Sequence, residues 1–291
     1  MQRFEEIMTG MSVIGKLKYL LWAGSRIVGA DTSCPACKET KTELVRRKYA
    51  VTALFRCPSC EVMFRVPKPS PEECHDFYQT DYTQGFTTDC PAPDELERLK
   101  ASLFATTEKD YSTYIDVLRA VPVLKGSVIL DYGCSWGYGS WQMAHAGYKV
   151  YSCEISGPRA RYAAEKLDCN LCTPENLPEK VDCLFSSHVI EHLTNPRDMW
   201  EIAVKVVKPG GNVVLFLPNG NLDRVTVDKY FHRYWGLVHP LLLNPTALIR
   251  MGELYGFTTH CYTSPYDLDE IATKSPGIQT GFELLAIGSR Q

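Results

Sequence analysis

The segment Val128-Ile-Leu-Asp-Tyr-Gly-Cys-Ser-Trp-Gly-Tyr-Gly139 constrains the fold of this chain more than any other. A short apolar run reads as a buried strand. It ends at Asp131, passes through a glycine-rich turn and continues as a helix. That unit opens a mostly parallel sheet. Gly133 and Gly137 let the backbone approach a ligand closely. From Gly126 onward apolar stretches alternate with amphipathic ones, with strands expected at 127–132, 149–155, 181–186, 211–218, 258–262 and 282–288.

Turns of this kind serve both dinucleotides and S-adenosylmethionine, so the acidic residues decide between them. A pyrophosphate wants backbone N–H groups and no nearby carboxylate. S-adenosylmethionine carries an ammonium and a sulfonium, which suit Asp131 at the strand's end. Ser135 stands where the second glycine of a Gly-x-Gly-x-x-Gly pattern would be. Glu154 ends the next strand, placed to accept hydrogen bonds from both ribose hydroxyls. The loop residues Cys134 and Ser135, Ile155 beside Glu154, and Ser187 after the strand at 181–186 join the expected cofactor set.

Two C-x-x-C pairs precede this domain: Cys34-Pro-Ala-Cys37 and Cys57-Pro-Ser-Cys60. Each pair can hold one side of a tetrahedral zinc from a tight turn, and the segment between them can fold as a hairpin. Four thiolates leave no open coordination position, so the expected zinc is structural. The other eight of the twelve cysteines read as small apolar residues in a reducing, cytoplasmic setting. A formal net charge of -3 implies no global attraction to nucleic acid or anionic membranes.

The expected organisation is an N-terminal helix over 1–30, a zinc ribbon over 31–68, a connector and helical lead-in over 69–109, and the sheet domain over 110–291. Val13, Ile14, Leu17, Leu20, Leu21, Ile27 and Val28 recur at helical spacing and read first as a packed face. The same stripe, with Trp22, also fits a helix lying peripherally on the inner membrane surface. No apolar run has the roughly 20 residues of a membrane span. Asn195-Pro196 and Asn244-Pro245 mark helix starts, Ser156 can cap another, and Pro209-Gly210-Gly211 ends one. An aromatic-rich insertion, about 219–245, reads as a lid over the acceptor.

Together these residues resemble the class I methyltransferase family. Its glycine-rich motif is similar to Asp131-Tyr-Gly-Cys-Ser-Trp-Gly137, its ribose-binding acid to Glu154, and its adenine segment to Thr173-Pro-Glu-Asn-Leu-Pro178, where the resemblance implies cofactor contacts from Glu175 and Asn176. Its fourth motif is similar to the stretch from Asp182 to His192, and its following turn to Lys208-Pro-Gly-Gly211. The resemblance implies a Rossmann-like seven-stranded, mostly parallel sheet with helices on both faces. With the ribbon and the tyrosine pairs Phe77-Tyr78 and Asp81-Tyr82, the chain looks like methyltransferases of bacterial sugar and polysaccharide pathways. That implies O-methylation, with C-methylation also open, of a sugar, glycan or sugar-nucleotide acceptor.

A hydroxyl acceptor needs a base, and His188, His192 and His239 are the candidates, His188 and His239 foremost. The stretch Ser187-His-Val-Ile-Glu-His192 is similar to the Glu-x-x-Glu-His of ubiquinone-type O-methyltransferases. His188 in place of the first Glu removes the oxygen set that a hard cation prefers, so no metal is assigned there. Other readings remain. One is an RNA base methyltransferase, because residues 31–69 hold eight basic against four acidic residues. Others are a quinone- or phenol-directed O-methyltransferase, a nicotinamide oxidoreductase and a non-catalytic binding protein.

Overall fold

The computed structural model describes residues 21–48, 50–76, 89–223, 231, 234–236 and 239–291. The stripe from Val13 to Leu20, the pairs at 77–78 and 81–82, and most of the insertion at 224–238 lie outside the described residues.

The ribbon comes first. Strands β1 (Glu43–Lys48), β2 (Thr52–Arg56) and β3 (Met63–Val66) form an antiparallel meander. Helices α1 (Pro71–Asp76), α2 (Pro93–Ala101) and α3 (Ser112–Ala120) follow.

The large sheet then alternates strands with helices: β4 (Val128–Tyr132), α4 (Tyr138–His145), β5 (Lys149–Cys153), α5 (Gly157–Leu167), β6 (Asn170–Leu171), β7 (Val181–Ser187), α6 (Arg197–Val206) and β8 (Val207–Pro218). A two-residue strand in the insertion, β9 (Leu241–Leu242), precedes α7 (Pro245–Leu254), β10 (Phe257–Thr263), α8 (Leu268–Thr273) and β11 (Glu283–Arg290). The seven strands lie in the order β10-β11-β8-β7-β4-β5-β6. Those from β6 to β8 are parallel, and β11 is antiparallel to both of its neighbours. The fold is the expected seven-stranded, mostly parallel sheet with helices on both faces. The apolar runs Val128–Leu130 and Val213–Leu217 are buried throughout, as inner strands covered on two sides must be.

The two faces carry separate cores. One joins Ile129, Phe185, Val214 and Leu285 to Leu118 of α3 and Met143 of α4. The other joins Leu130, Leu184, Leu215 and Ala286 to Met199, Trp200 and Ala203 of α6 and Leu248 of α7. This second core also contains Cys34, Cys57, Val62, Phe64 and Val66 of the ribbon. The ribbon is therefore bonded into the domain. Its sheet gains β9 as a fourth strand, with Met63 opposite Leu242 and Phe64 opposite Leu241, and Arg65 donates its N–H to Pro240 O at 2.8 Å. Phe231 and Trp235 of the insertion are buried against Leu54, Met63 and Leu242. The described part of the insertion is thus tied to the ribbon, a contact that the expectation of a lid did not include.

Some local signals act one step away from where they were expected. Asn244 Oδ1 accepts from Ala247 N at 2.8 Å and caps α7 as expected. Helix α6 starts at Arg197, so Pro196 holds the cap position while Asn195 Oδ1 accepts from Arg197 N at 3.2 Å. Ser156 heads α5, but its side chain makes no capping bond. Pro209-Gly210-Gly211 lies inside β8, where the register with β7 shifts between Val181 and Cys183, a bulge the glycines permit. Residues 21–27 are helical, and Trp22 Nε1 donates to Glu73 Oε1 at 2.6 Å, so this part of the expected helix is tied to α1. Among the described residues no helix is long and apolar enough to cross a membrane.

Candidate functional site

The loop after β4 is held open by specific contacts. Gly133 and Cys134 donate their N–H groups to Cys153 O at 2.8 and 3.0 Å, binding the loop to the end of β5. Gly133 has φ 90°, and a Cβ there would stand 2.2 Å from Val189 Cγ2. Gly137 has φ 91°, and a Cβ there would stand 2.7 Å from Cys169 Sγ. Both positions demand glycine for conformation and for space. Ser135 adopts φ 53°, a left-handed conformation that its backbone bond to Glu154 helps to fix. Trp136 is fully buried between Phe104, Tyr138 and Tyr162 and anchors the loop from below.

Glu154 organises this end of the sheet. Its Oε2 accepts from Ser135 N at 2.9 Å and its Oε1 from Ser156 N at 2.7 Å. Burial pushes its carboxyl up, against the two N–H bonds and Arg159. A carboxylate has about four lone-pair directions, so two acceptor directions remain for ligand hydroxyls. Ile155 beside it is 56% exposed and offers an apolar surface for a base.

Asp131 lies elsewhere than its expected contact with an ammonium. It is 1% exposed, and its Oδ2 accepts from Ser140 Oγ at 2.6 Å, which in turn accepts from Ser152 Oγ at 2.8 Å. Burial pushes its carboxyl up to about 7 despite the Ser140 bond. Its visible work is to order the loop from beneath. Asn176 Oδ1 accepts from Thr173 N at 2.6 Å and closes its own turn, while Glu175 pairs with Lys205 at 3.2 Å on the surface. Neither is brought to Glu154 by any contact between them.

The expected histidines converge at the carboxyl end of β7. His188 has φ 56° and follows Ser187, and its neighbour Val189 lies against Gly133, so it stands next to the cofactor loop. Both ring nitrogens face carboxylates: Nε2 is 2.7 Å from Glu283 Oε1 and Nδ1 is 3.3 Å from Glu191 Oε1. Its side chain is 44% exposed, and the two carboxylates lift its pKa to about 10. The expectation of a free-base His188 is not met, because an imidazolium held on both sides has no lone pair for a substrate proton. Glu283, the first residue of β11, also accepts from Tyr114 OH at 2.8 Å and Tyr266 OH at 2.6 Å. Sequence reasoning missed it, since a lone Glu at a strand start carries no local signature.

His192 and His239 form a second group with Glu191. Their rings lie 4.6 Å apart, and His239 Nδ1 is 3.1 Å from Tyr234 O. Burial, with the charge of His192, lowers His239 to about 4. Glu191 is 1% exposed, and neither oxygen makes a hydrogen bond of good geometry among the described residues.

The four ribbon cysteines also meet as expected. Cys34 Sγ lies 3.5 Å from Cys60 Sγ, and Cys37 Sγ lies 3.4 Å from Cys57 Sγ. Zinc–sulfur bonds of about 2.3 Å in a tetrahedron place sulfurs about 3.8 Å apart, so the set fits one zinc. The two turns match each other: Lys38 N donates to Cys34 O and Glu61 N to Cys57 O, and Lys38 and Glu61 both have φ near 65°. All twelve cysteines are free of disulfides.

Residues 130–215 match the model of a family described as a methyltransferase domain. Over those residues the chain is similar to a methyltransferase domain. The chain is 34% identical over 124 residues to a tRNA U34 carboxymethyltransferase of Pseudomonas paraeruginosa, covering 37% of this chain and 38% of that protein. It is 30% identical over 118 residues to a ubiquinone biosynthesis O-methyltransferase of Dechloromonas aromatica, covering 37% of this chain and 51% of that protein. A solved structure, a TehB-like SAM-dependent methyltransferase from Corynebacterium glutamicum, is 15% identical with a TM-score of 0.47, covering 68% of this chain and 97% of that one. The chain thus spans about half or less of the length of the relatives it matches by sequence.

Proposed function

We propose that this chain transfers a methyl group from S-adenosylmethionine to a hydroxyl of a sugar, glycan or sugar nucleotide, and that Cys34, Cys37, Cys57 and Cys60 hold a structural zinc. The observation that carries the donor assignment is Glu154, a carboxylate bonded to the loop N–H of Ser135 and set at the carboxyl end of β5. Ribose hydroxyls find acceptors there, and a pyrophosphate would meet the negative charge of Glu154. When bound, the cofactor supplies the methyl group and its own leaving group. The chain supplies alignment and a dry site.

For the acceptor, the support is the polar wall made by His188, Glu283, Tyr114 and Tyr266. A hydroxyl-rich ligand can exchange hydrogen bonds with such a wall. His188, which faces Glu283 and Glu191, holds Glu283 in place, and Glu283, with an acceptor direction left on Oε2 beside Tyr266, is the carboxylate positioned to receive the proton of the acceptor hydroxyl. Glu283→Gln is expected to lower turnover at least about tenfold while the affinity for S-adenosylmethionine changes less than about twofold, the pattern of a lost acceptor-side interaction. Single-turnover rates beside calorimetric affinities measure both. An unchanged rate removes Glu283 from the site.

The RNA reading draws on one relative's name and on the basic ribbon. Its cations are largely engaged: Arg56 pairs with Glu43 and Glu61, Lys68 pairs with Asp31, and Arg65 is buried. The deciding experiment incubates the chain with labelled S-adenosylmethionine and panels of sugar nucleotides, glycans, phenols and RNA, followed by mass analysis. Label in RNA or phenols alone overturns the sugar assignment. Calorimetric binding of NAD without S-adenosylmethionine overturns the donor.

A further inference from the structure

We propose that Glu191, His192 and His239 form a second metal site, distinct from the cysteine cluster and suited to a zinc-type divalent cation. One ligand atom from each lies within 4.8 Å of the others, and Glu191 Oε1 is 3.9 Å from His192 Nε2. Ligands about 2.0–2.2 Å from one ion stand about 3.4 Å apart, so small rotations of the three side chains close the set.

Two further observations point to an ion. Glu191 is a fully buried carboxylate whose oxygens make no well-formed hydrogen bond among the described residues; the His188 ring faces Oε1 alone at 3.3 Å, which leaves Oε2 without a bond, a costly arrangement for a buried charge. His239 Nδ1 faces the carbonyl of Tyr234 at 3.1 Å. A carbonyl only accepts, so Nδ1 carries the hydrogen and Nε2 the lone pair. A backbone carbonyl bonded to the far ring nitrogen is the usual support of a histidine ligand. Two imidazoles and one carboxylate favour zinc and its first-row neighbours over calcium or magnesium.

The site joins parts of the chain that are far apart in sequence. Glu191 and His192 form the single turn Ile190–His192 after β7, whereas His239 comes from the insertion just before β9, the strand added to the ribbon sheet. An ion there fastens the insertion to the carboxyl end of the large sheet. It also fixes Glu191, which holds one side of His188. The cation therefore bears, through Glu191 and His188, on the position of Glu283 in the acceptor wall. Metal content is read independently of methyl transfer, so this proposal and the proposed reaction can fail separately.

The full chain is equilibrated by dialysis against micromolar free zinc, and bound zinc is counted by mass spectrometry. The wild type is expected to hold about two ions per chain, and His239→Ala and Glu191→Gln about one each. Loaded with cobalt instead, the His239→Ala protein should keep the thiolate charge-transfer bands of the cysteine site and lose the weaker bands of a nitrogen and oxygen site. Added zinc should raise the melting temperature of cysteine-loaded wild type but not that of His239→Ala, a readout that stands if Glu191→Gln does not fold. One zinc in the wild type, or two in His239→Ala, overturns the proposal.

Discussion

Replacing Glu154 with Ala is expected to weaken S-adenosylmethionine binding about tenfold or more, since hydrogen bonds to a charged group contribute about 1.5–3 kcal/mol each. The structure gives two reasons for a large effect. The carboxylate loses its bonds to ligand hydroxyls, and the loop loses the anchor at Ser135 N that holds it in its left-handed turn. Glu154→Gln should do little better, because an amide nitrogen would face one of the two N–H groups at Ser135 and Ser156 that the carboxylate accepts from. Asp131→Ala is a useful contrast. That carboxyl is buried under Ser140, so its removal should lower stability as well as affinity. Calorimetric titration beside chemical denaturation separates the two variants. Glu154→Ala with wild-type affinity would refute the cofactor site.

The donor half of the site was legible because its chemistry is local. A strand, a turn and an acid at the next strand's end lie within about 25 residues, and Gly133, Gly137 and Glu154 each occupy the place that their residue type suggests. Periodicity likewise placed the strands that became β4, β5, β7, β10 and β11, whose apolar runs are long enough to read. It missed β6 and β9, which have two residues each and exist only by pairing. The acceptor half failed for the same reason. Glu283 reaches His188 across 95 positions, and His239 reaches Glu191 across 48, so no window of sequence shows either contact. His188 shows the cost: as a lone histidine it reads as a base, and it reads as a cation only when the distant Glu283 joins Glu191, three residues on, at its ring. The four-cysteine ribbon was legible from its spacing, yet its fusion to the large-sheet domain was hidden in a pairing with β9.

That fusion makes Cys57→Ser a sharp test of the architecture. The variant is expected to lose about one zinc per chain and to destabilise the whole protein by several kcal/mol, because structural zinc sites contribute folding energy directly. In an independent ribbon the loss would stay local. Here Cys34, Cys57, Val62, Phe64 and Val66 share a core with Leu184, Trp200, Leu217 and Leu248, and β3 carries β9 of the insertion. Unfolding the ribbon would expose one face of the large sheet's helices and release the insertion that brings His239 to Glu191. Denaturation followed by a probe of the ribbon and by tryptophan emission, to which buried Trp200 contributes, should therefore give coincident transitions, both moved to lower denaturant. A shift in the ribbon signal alone would show that the two parts are separate. An unchanged zinc content would remove the metal from the ribbon altogether.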